Sequence, residues 1–153
     1  MGKRTEINDA LKAAMKKKDS ISVSTIRLIM AAIKERDIMA RSQGHAEGIS
    51  DKEILSLLQS MIKQRRESSQ TYKDAGRPEL AEREEQEIEV INQFLPRQMS
   101  EDELKTTVES LINDLGVSDI KDMGRVMAEL KSRYAGQIDM SKASGIVKEK
   151  LAA

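Results

Sequence analysis

The chain has 153 residues with 26 Lys and Arg against 26 Asp and Glu, so its formal net charge is zero at pH 7. A zero balance argues against a protein that is held to nucleic acid by bulk charge alone. The absence of cysteine and the single histidine exclude disulfide scaffolds, cysteine nucleophiles and multi-histidine metal sites. Because only 2% of the residues are aromatic, stacking platforms for single-stranded nucleic acid are not expected either.

No apolar run approaches the length of a membrane span, and the N-terminal sequence MGKRTEIND lacks the apolar stretch of a signal peptide. Together with the absence of cysteine, these patterns predict a soluble, cytoplasmic protein that contacts no membrane.

The first part of the chain predicts four helices. Apolar residues recur every three or four positions over residues 7–15, with Met15 on the inward face, and again over residues 23–33. Ser50 and Glu53 have the spacing of a capping box and predict the start of a third helix. Gly76 followed by Pro78 predicts the stop of that helix and the first turn of a fourth. Pro96 is expected to end the fourth helix.

A second group of helices is predicted after the sequence FLPRQ. Ser100 and Glu103 repeat the capping-box spacing, and apolar residues follow at helical intervals up to Gly116. A further helix is expected over 119–134 with Ile120 on its inward face, and Asp139 is expected to cap the last helix.

The absence of strand-like alternation predicts an all-α fold, in which a helical N-terminal domain precedes a small three-helix bundle. The expected domains are 1–96 and 97–153.

The charges are arranged in blocks of opposite sign. Residues 1–41 hold ten Lys and Arg against five Asp and Glu, whereas residues 79–89 hold six Glu against one Arg. Residues 97–120 are acidic by four charges, and residues 121–153 are basic by three. These blocks are either solvated helix faces that partly neutralise one another or, where basic, surfaces that meet phosphate.

The best-placed basic stripe lies on the predicted 119–134 helix. At 100° per residue, Lys121 and Arg125 fall opposite the apolar face, with Gly124 and Ala128 beside them. A glycine inside a helix destabilises it relative to alanine, so close approach of another backbone would explain Gly124. Tight packing of a neighbouring helix is the favoured explanation for the glycine, and phosphate contact is the alternative.

Catalytic and metal-binding patterns are largely missing. No phosphate-binding glycine loop with its Lys-Ser/Thr signature is present, so we expect no nucleotide cofactor. His45 has no companion His or Cys in its loop, and the glutamate run at 84–89 lacks the ligand spacing of a calcium loop. We therefore expect no metal and no cofactor, and we interpret the glutamate run as a solvated helix face.

Several segments, in this order and spacing, resemble one family. They are STIRLI at 24–29, KQRRES at 63–68, YKDAGRPEL at 72–80, FLPRQMSEDEL at 94–104 and KDMGRVM at 121–127, followed by Gly136, Asp139, Ser144, Val147, Lys148 and Leu151. Over essentially its full length the chain resembles a stand-alone YqeY-like protein of the GatB/YqeY family. Met140 departs from the pattern, because a small polar residue or glycine is common there.

The resemblance implies an all-helical, two-part protein whose C-terminal part is similar to the tail of the aminoacyl-tRNA amidotransferase B subunit. That tail helps to hold the outer body of tRNA, while the amide chemistry takes place in other domains. The family is therefore labelled a carbon–nitrogen ligase with glutamine as amido-N-donor. The positions that the resemblance offers as tRNA-binding candidates are Lys121, Gly124, Arg125, Lys131, Gly136 and Lys142. Gly136 could equally be a helix stop alone.

Three hypotheses follow for the function. The leading one is an accessory protein of translation that contacts tRNA, or a tRNA–protein assembly, through its C-terminal helices. The alternative is a protein–protein interaction module with no RNA contact, which uses its basic N-terminal block and its acidic helix. The third is an amidotransferase component that is active only within a complex, since no catalytic site is visible in the chain.

Overall fold

The structure is a computed structural model that describes residues 2–152, and these residues form helices and no strand. The predicted all-α fold is therefore confirmed. The helices are α1 (Lys3–Lys17), α2 (Ser20–Ser42), α3 (Asp51–Asp74), α4 (Pro78–Asn92), α5 (Glu101–Leu115), α6 (Met123–Arg133) and α7 (Met140–Ala152), with a 3-10 turn at Ile120–Asp122. They divide into two compact units, residues 1–95 and 96–153.

The first unit packs α1 to α4 around an isoleucine-rich core. As predicted, Ser50 caps α3: its hydroxyl accepts a hydrogen bond from the Glu53 N–H, and the Glu53 carboxylate accepts one from the Ser50 N–H. Gly76, at φ +72°, and Pro78, in the first turn of α4, form the predicted stop and restart. The buried core residues are Ile7, Ala14, Ile26, Ile29, Ile33, Ile49, Ile54, Leu57, Leu58, Met61, Ile62, Ile91 and Phe94.

The glutamate run of α4 is more than a solvated face. The Glu87 side chain is largely buried and lies 3.1 Å from Arg65 Nε on α3 and 3.2 Å from Arg83 Nε on α4. Glu85 accepts from Lys73 on α3 at 2.7 Å. These contacts hold α3 against α4, so the interpretation of the whole run as solvated is wrong for Glu87. Helical period alone could not reveal this burial, because it depends on the cations of another helix.

A charged residue is also buried in the core of the first unit. Asp37 of α2 accepts two parallel hydrogen bonds from the Arg4 guanidinium, each 2.7 Å, and a third from the Ile49 N–H at 2.9 Å. Arg4 also donates to the Ile49 carbonyl at 2.9 Å. The neighbouring Gly48 has φ +83°, and a Cβ at this position would lie 2.3 Å from an Asp37 oxygen. The cluster therefore joins α1, α2 and the loop before α3.

The second unit packs α5, α6 and α7 around its own core. Ser100 and Glu103 form the predicted capping box, and Gly116 ends α5 in the left-handed region. Ahead of α5, the Met99 N–H donates to the Gln137 carbonyl at 2.8 Å. The buried residues are Leu104, Val108, Leu111, Val126, Leu130, Ile138, Ala143, Ile146, Val147 and Leu151.

Three expectations about individual residues are wrong. Met15 is 51% exposed, because Ile7 and Ala14 are the α1 residues that reach the core. Ile120 is exposed, since the 3-10 turn at its position rotates it away from the face of α6. The fourth helix ends at Asn92 rather than at Pro96, and the turn that follows it buries Phe94.

Candidate nucleic-acid interface

The candidate surface begins at the 3-10 turn and runs along α6. Asp119 caps the turn by accepting from the Lys121 N–H at 3.0 Å. α6 then buries Val126 and Leu130 completely. Because residues advance by about 100° along a helix, the opposite side of α6 presents Gly124, Arg125 and Ala128, and all three are exposed.

Gly124 has no packing partner within the residues that the structure describes. A Cβ built on it would meet no heavy atom within 4 Å. The favoured expectation, that a neighbouring helix of the chain packs tightly on Gly124, is therefore wrong. The glycine leaves a bare, solvent-facing stretch of helix backbone in the first turn of α6.

The cations of this surface are available for an external anion. Lys121, Arg125 and Lys131 are exposed, and none of them forms an ion pair with another residue in the range 2–152. In contrast, Arg133 donates to Glu129 at 2.9 Å. Lys131 lies about 120° around the helix from Arg125, but it is seven residues after Gly124 and therefore falls nearly in line with the glycine.

α7 adds a second exposed side, and Asp139 caps it as predicted. The Asp139 carboxylate accepts from the Ser141 N–H at 2.9 Å and from the Lys142 N–H at 3.2 Å. Lys142 and Lys148 are exposed and make no ion pair within residues 2–152, whereas Lys150 is paired with Glu109.

Gly145 is a residue that the sequence analysis overlooked. It lies in the middle of α7, is exposed, and would place a Cβ in open space. It falls on the side of α7 opposite the buried Ala143 and Val147, and the helical period applied to α6 would have found it. Both α6 and α7 therefore carry a glycine that packing within the described chain does not explain.

Gly136 does not belong to the exposed surface. It is buried at φ +76° between α6 and α7, and its carbonyl accepts from Gln98 Nε2 at 2.6 Å. These observations favour its alternative role as a helix stop.

The remaining candidates form no chemical site. His45 lies exposed in the loop after α2, and across residues 2–152 no three His, Asp or Glu side chains converge as metal ligands do. Among the described helices, none is both long and apolar enough to cross a bilayer.

Comparison with known proteins identifies relatives over most of the chain. The family described as "Yqey-like protein" matches residues 4–151. "Altered inheritance of mitochondria protein 41, mitochondrial" of Vanderwaltozyma polyspora is 34% identical over 107 residues, which cover 69% of this chain and 56% of that protein. The protein of the same name from Pyrenophora tritici-repentis is 29% identical over 143 residues, 86% of this chain and 73% of that protein. The chain thus spans little more than half of the Vanderwaltozyma relative. Because the family match covers nearly the whole chain, the protein belongs to the YqeY-like family.

Proposed function

We propose that the protein is an accessory factor that contacts tRNA, or a tRNA–protein assembly, through its C-terminal unit. The proposed residues are the exposed cations of the 3-10 turn, α6 and α7 together with the two bare glycines of these helices, and we call them the α6–α7 surface. Its members are Lys121, Gly124, Arg125, Lys131, Lys142, Gly145 and Lys148. The observation that carries the proposal is that these five cations are exposed and free of ion pairs within residues 2–152.

Free cations suit phosphate binding because no internal ion pair has to be broken when the phosphate arrives. Each Lys or Arg that neutralises a phosphate releases a condensed counterion, which makes the affinity dependent on salt. Arg125 adds a planar fork of donors that can hold two phosphate oxygens at once. The paired residues Arg133 and Lys150 would instead have to leave Glu129 and Glu109.

Shape and backbone contacts would dominate recognition. The sequence has two Tyr, one Phe and no Trp, so stacking on unpaired bases contributes little. Gly124 and Gly145 would let a sugar–phosphate backbone approach the helix backbone more closely than a residue with a Cβ allows. The resemblance to an amidotransferase tail, which holds the outer body of tRNA, favours folded tRNA over single-stranded RNA as the ligand.

A fluorescence anisotropy titration of the full chain against labelled, unfractionated tRNA at two salt concentrations tests the proposal. We expect Lys121→Ala with Arg125→Ala to weaken binding about tenfold and to lower the slope of log K against log salt by roughly 1–2, since two phosphate contacts are lost. The matched control is Lys16→Ala with Lys17→Ala, which removes two exposed cations at the end of α1 in the other unit.

Two results would overturn the proposal. One is the absence of binding at low salt. The other is an equal loss of tRNA affinity in the Lys121/Arg125 variant and in the Lys16/Lys17 control, which would indicate attraction to exposed cations in general. The variant Gly124→Gln adds a test that leaves the charge unchanged. Its side chain enters open space, so we expect a folded protein that binds tRNA several-fold more weakly.

A further inference from the structure

The outer side of α2 carries apolar side chains that the fold leaves uncovered. Leu28 is 48% exposed, Ile38 58% and Met39 57%, and Ala31 is exposed between them. At about 100° per residue these four fall within roughly a third of the helix circumference, opposite the buried isoleucines of the same helix. We call them the α2 outer face. It extends for about 16 Å, or three helical turns.

One edge of this face is basic. Arg27, Lys34 and Arg41 follow one another at intervals of seven residues, which places them in a row along the helix. All three are exposed. Arg27 and Lys34 have no ion pair within residues 2–152, and Arg41 donates through Nε to the Ala46 carbonyl at 3.2 Å.

We propose that the α2 outer face binds an amphipathic helix of a partner protein that is apolar on one side and carries Asp and Glu along one edge. Apolar residues at spacings of three, seven and eight fit the apolar stripe of a second helix. The three cations would then lie opposite the partner's carboxylates, as the charged edges of paired helices do. The charge row thus determines the sign of the charge on the facing edge of the partner.

A second copy of this chain fits the α2 outer face poorly. In an antiparallel two-fold pair, each edge of the face meets the same edge of the copy, so Arg27, Lys34 and Arg41 would oppose one another. In a parallel pair that edge would meet the opposite one, where Arg36 is exposed. Like charges meet in both arrangements, which disfavours self-association.

A lipid surface fits poorly as well. Glu35 lies within the α2 outer face, between Ala31 and Ile38, and is exposed. A bilayer that took up Leu28 and Met39 would have to accept this carboxylate at the same depth, where a charge is unfavourable. A helical partner, unlike a bilayer, can place a Lys or Arg of its own opposite Glu35.

The inference does not depend on tRNA binding, because α2 and the α6–α7 surface belong to different units. Its test uses the full chain and three fluorescent peptides about as long as α2. The first has a leucine stripe and a glutamate edge, the second replaces each glutamate with lysine, and the third is a scrambled form of the first. Binding is measured by anisotropy, and peptide helicity by circular dichroism.

We expect the glutamate peptide to bind and to become helical on binding. Leu28→Ser with Met39→Ser should weaken binding of the glutamate peptide about tenfold, since two half-exposed apolar side chains lose their contact with it. Arg27→Glu with Lys34→Glu should reverse the preference in favour of the lysine peptide. Met15→Ser and Lys12→Glu on α1 are the matched controls, because both residues are exposed outside α2.

Three results would overturn the inference. The first is that the glutamate peptide binds no better than its scrambled form. The second is that phosphatidylglycerol vesicles bind the wild type but not the Leu28/Met39 variant, which would assign the face to lipid. The third is a dimer in analytical ultracentrifugation that the same variant abolishes, which would assign the face to a second copy.

Discussion

Replacing Asp37 with Asn removes the charge at the centre of the first unit and preserves the shape of the side chain. The Asp37 side chain is 7% exposed, whereas that of Arg4 is 37% exposed. The asparagine oxygen can still accept a hydrogen bond from the Ile49 N–H. The side chain is uncharged, however, and its NH2 group cannot accept the second hydrogen bond from the Arg4 guanidinium. Because Arg4 can regain water on its exposed side, we expect a loss nearer 2 than 5 kcal/mol in the free energy of unfolding at pH 6.

The pKa of Asp37 gives a second measure of how much its charge contributes to the free energy of unfolding. Hydrogen bonds from the Arg4 guanidinium, and secondarily from the Ile49 N–H, lower the pKa of Asp37 from 3.8 to about 2. A carboxylate with a lowered pKa in the folded state stabilises the fold above its unfolded pKa and loses that effect as the pH falls. The shift corresponds to about 2 kcal/mol at pH 6, of which roughly half is lost by pH 3.

Urea unfolding at pH 6 and at pH 3 measures both the loss of stability in Asp37→Asn and its dependence on pH. The Tyr134→Phe background leaves Tyr72 as the sole tyrosine, so its fluorescence follows the first unit. The stability difference between this background and its Asp37→Asn derivative should shrink by about 1 kcal/mol between the two pH values. Glu35→Gln, an exposed change on the same helix, should be nearly neutral. A pH-independent difference, or one below about 0.5 kcal/mol at pH 6, would refute the reasoning.

Three further substitutions test the packing of the two units. Gly48→Ala should destabilise the first unit by about 3 kcal/mol in urea unfolding, because φ is +83° and the Cβ would displace Asp37. Thr25→Val should stabilise that unit by about 1 kcal/mol, since the buried Thr25 hydroxyl has no hydrogen-bond partner within residues 2–152. Ser100→Ala should destabilise the second unit by about 1 kcal/mol through the lost cap of α5, as followed by amide hydrogen exchange.

Features that depend on a few neighbouring residues were predictable from the sequence. The capping boxes at Ser50 and Ser100 and the stop before Pro78 formed where they were expected, because cap hydrogen bonds join residues three apart. Asp139 at the start of α7 follows the same rule. The helical period also placed most of the core, since both cores consist mainly of apolar residues at helical spacing.

Features that depend on distant residues were not predictable in this way. Asp37 is an acid within a helix, a position that usually faces water, and its burial depends on Arg4 and on a loop twelve residues further along the chain. Met15 has the right period for burial, but the period does not say how far the neighbouring helices extend.

The candidate site also has features that could be predicted from the sequence and features that could not. That Arg125 lies away from the apolar face follows from the period of α6, and its exposure agrees with it. Lys121 is exposed as well, but it lies in the 3-10 turn, where that period does not apply. The open space beside Gly124 and the burial of Gly136 could not be foreseen, since a glycine carries no side chain that marks its environment. Gly124 therefore remains on the proposed surface, whereas Gly136 is a structural turn.

Both proposed ligands are anionic, so generic attraction to the exposed cations of the chain has to be separated from binding at the two surfaces. The Leu28/Met39 variant alters no charge, and its loss of peptide binding with unchanged tRNA binding would exclude generic attraction as the cause. The Lys121/Arg125 variant removes two cations from the other unit, and we expect it to lose tRNA affinity while it retains the glutamate peptide. If both variants weakened both ligands to the same degree, neither surface would be specific, because a selective site responds to its own residues and not to the total charge.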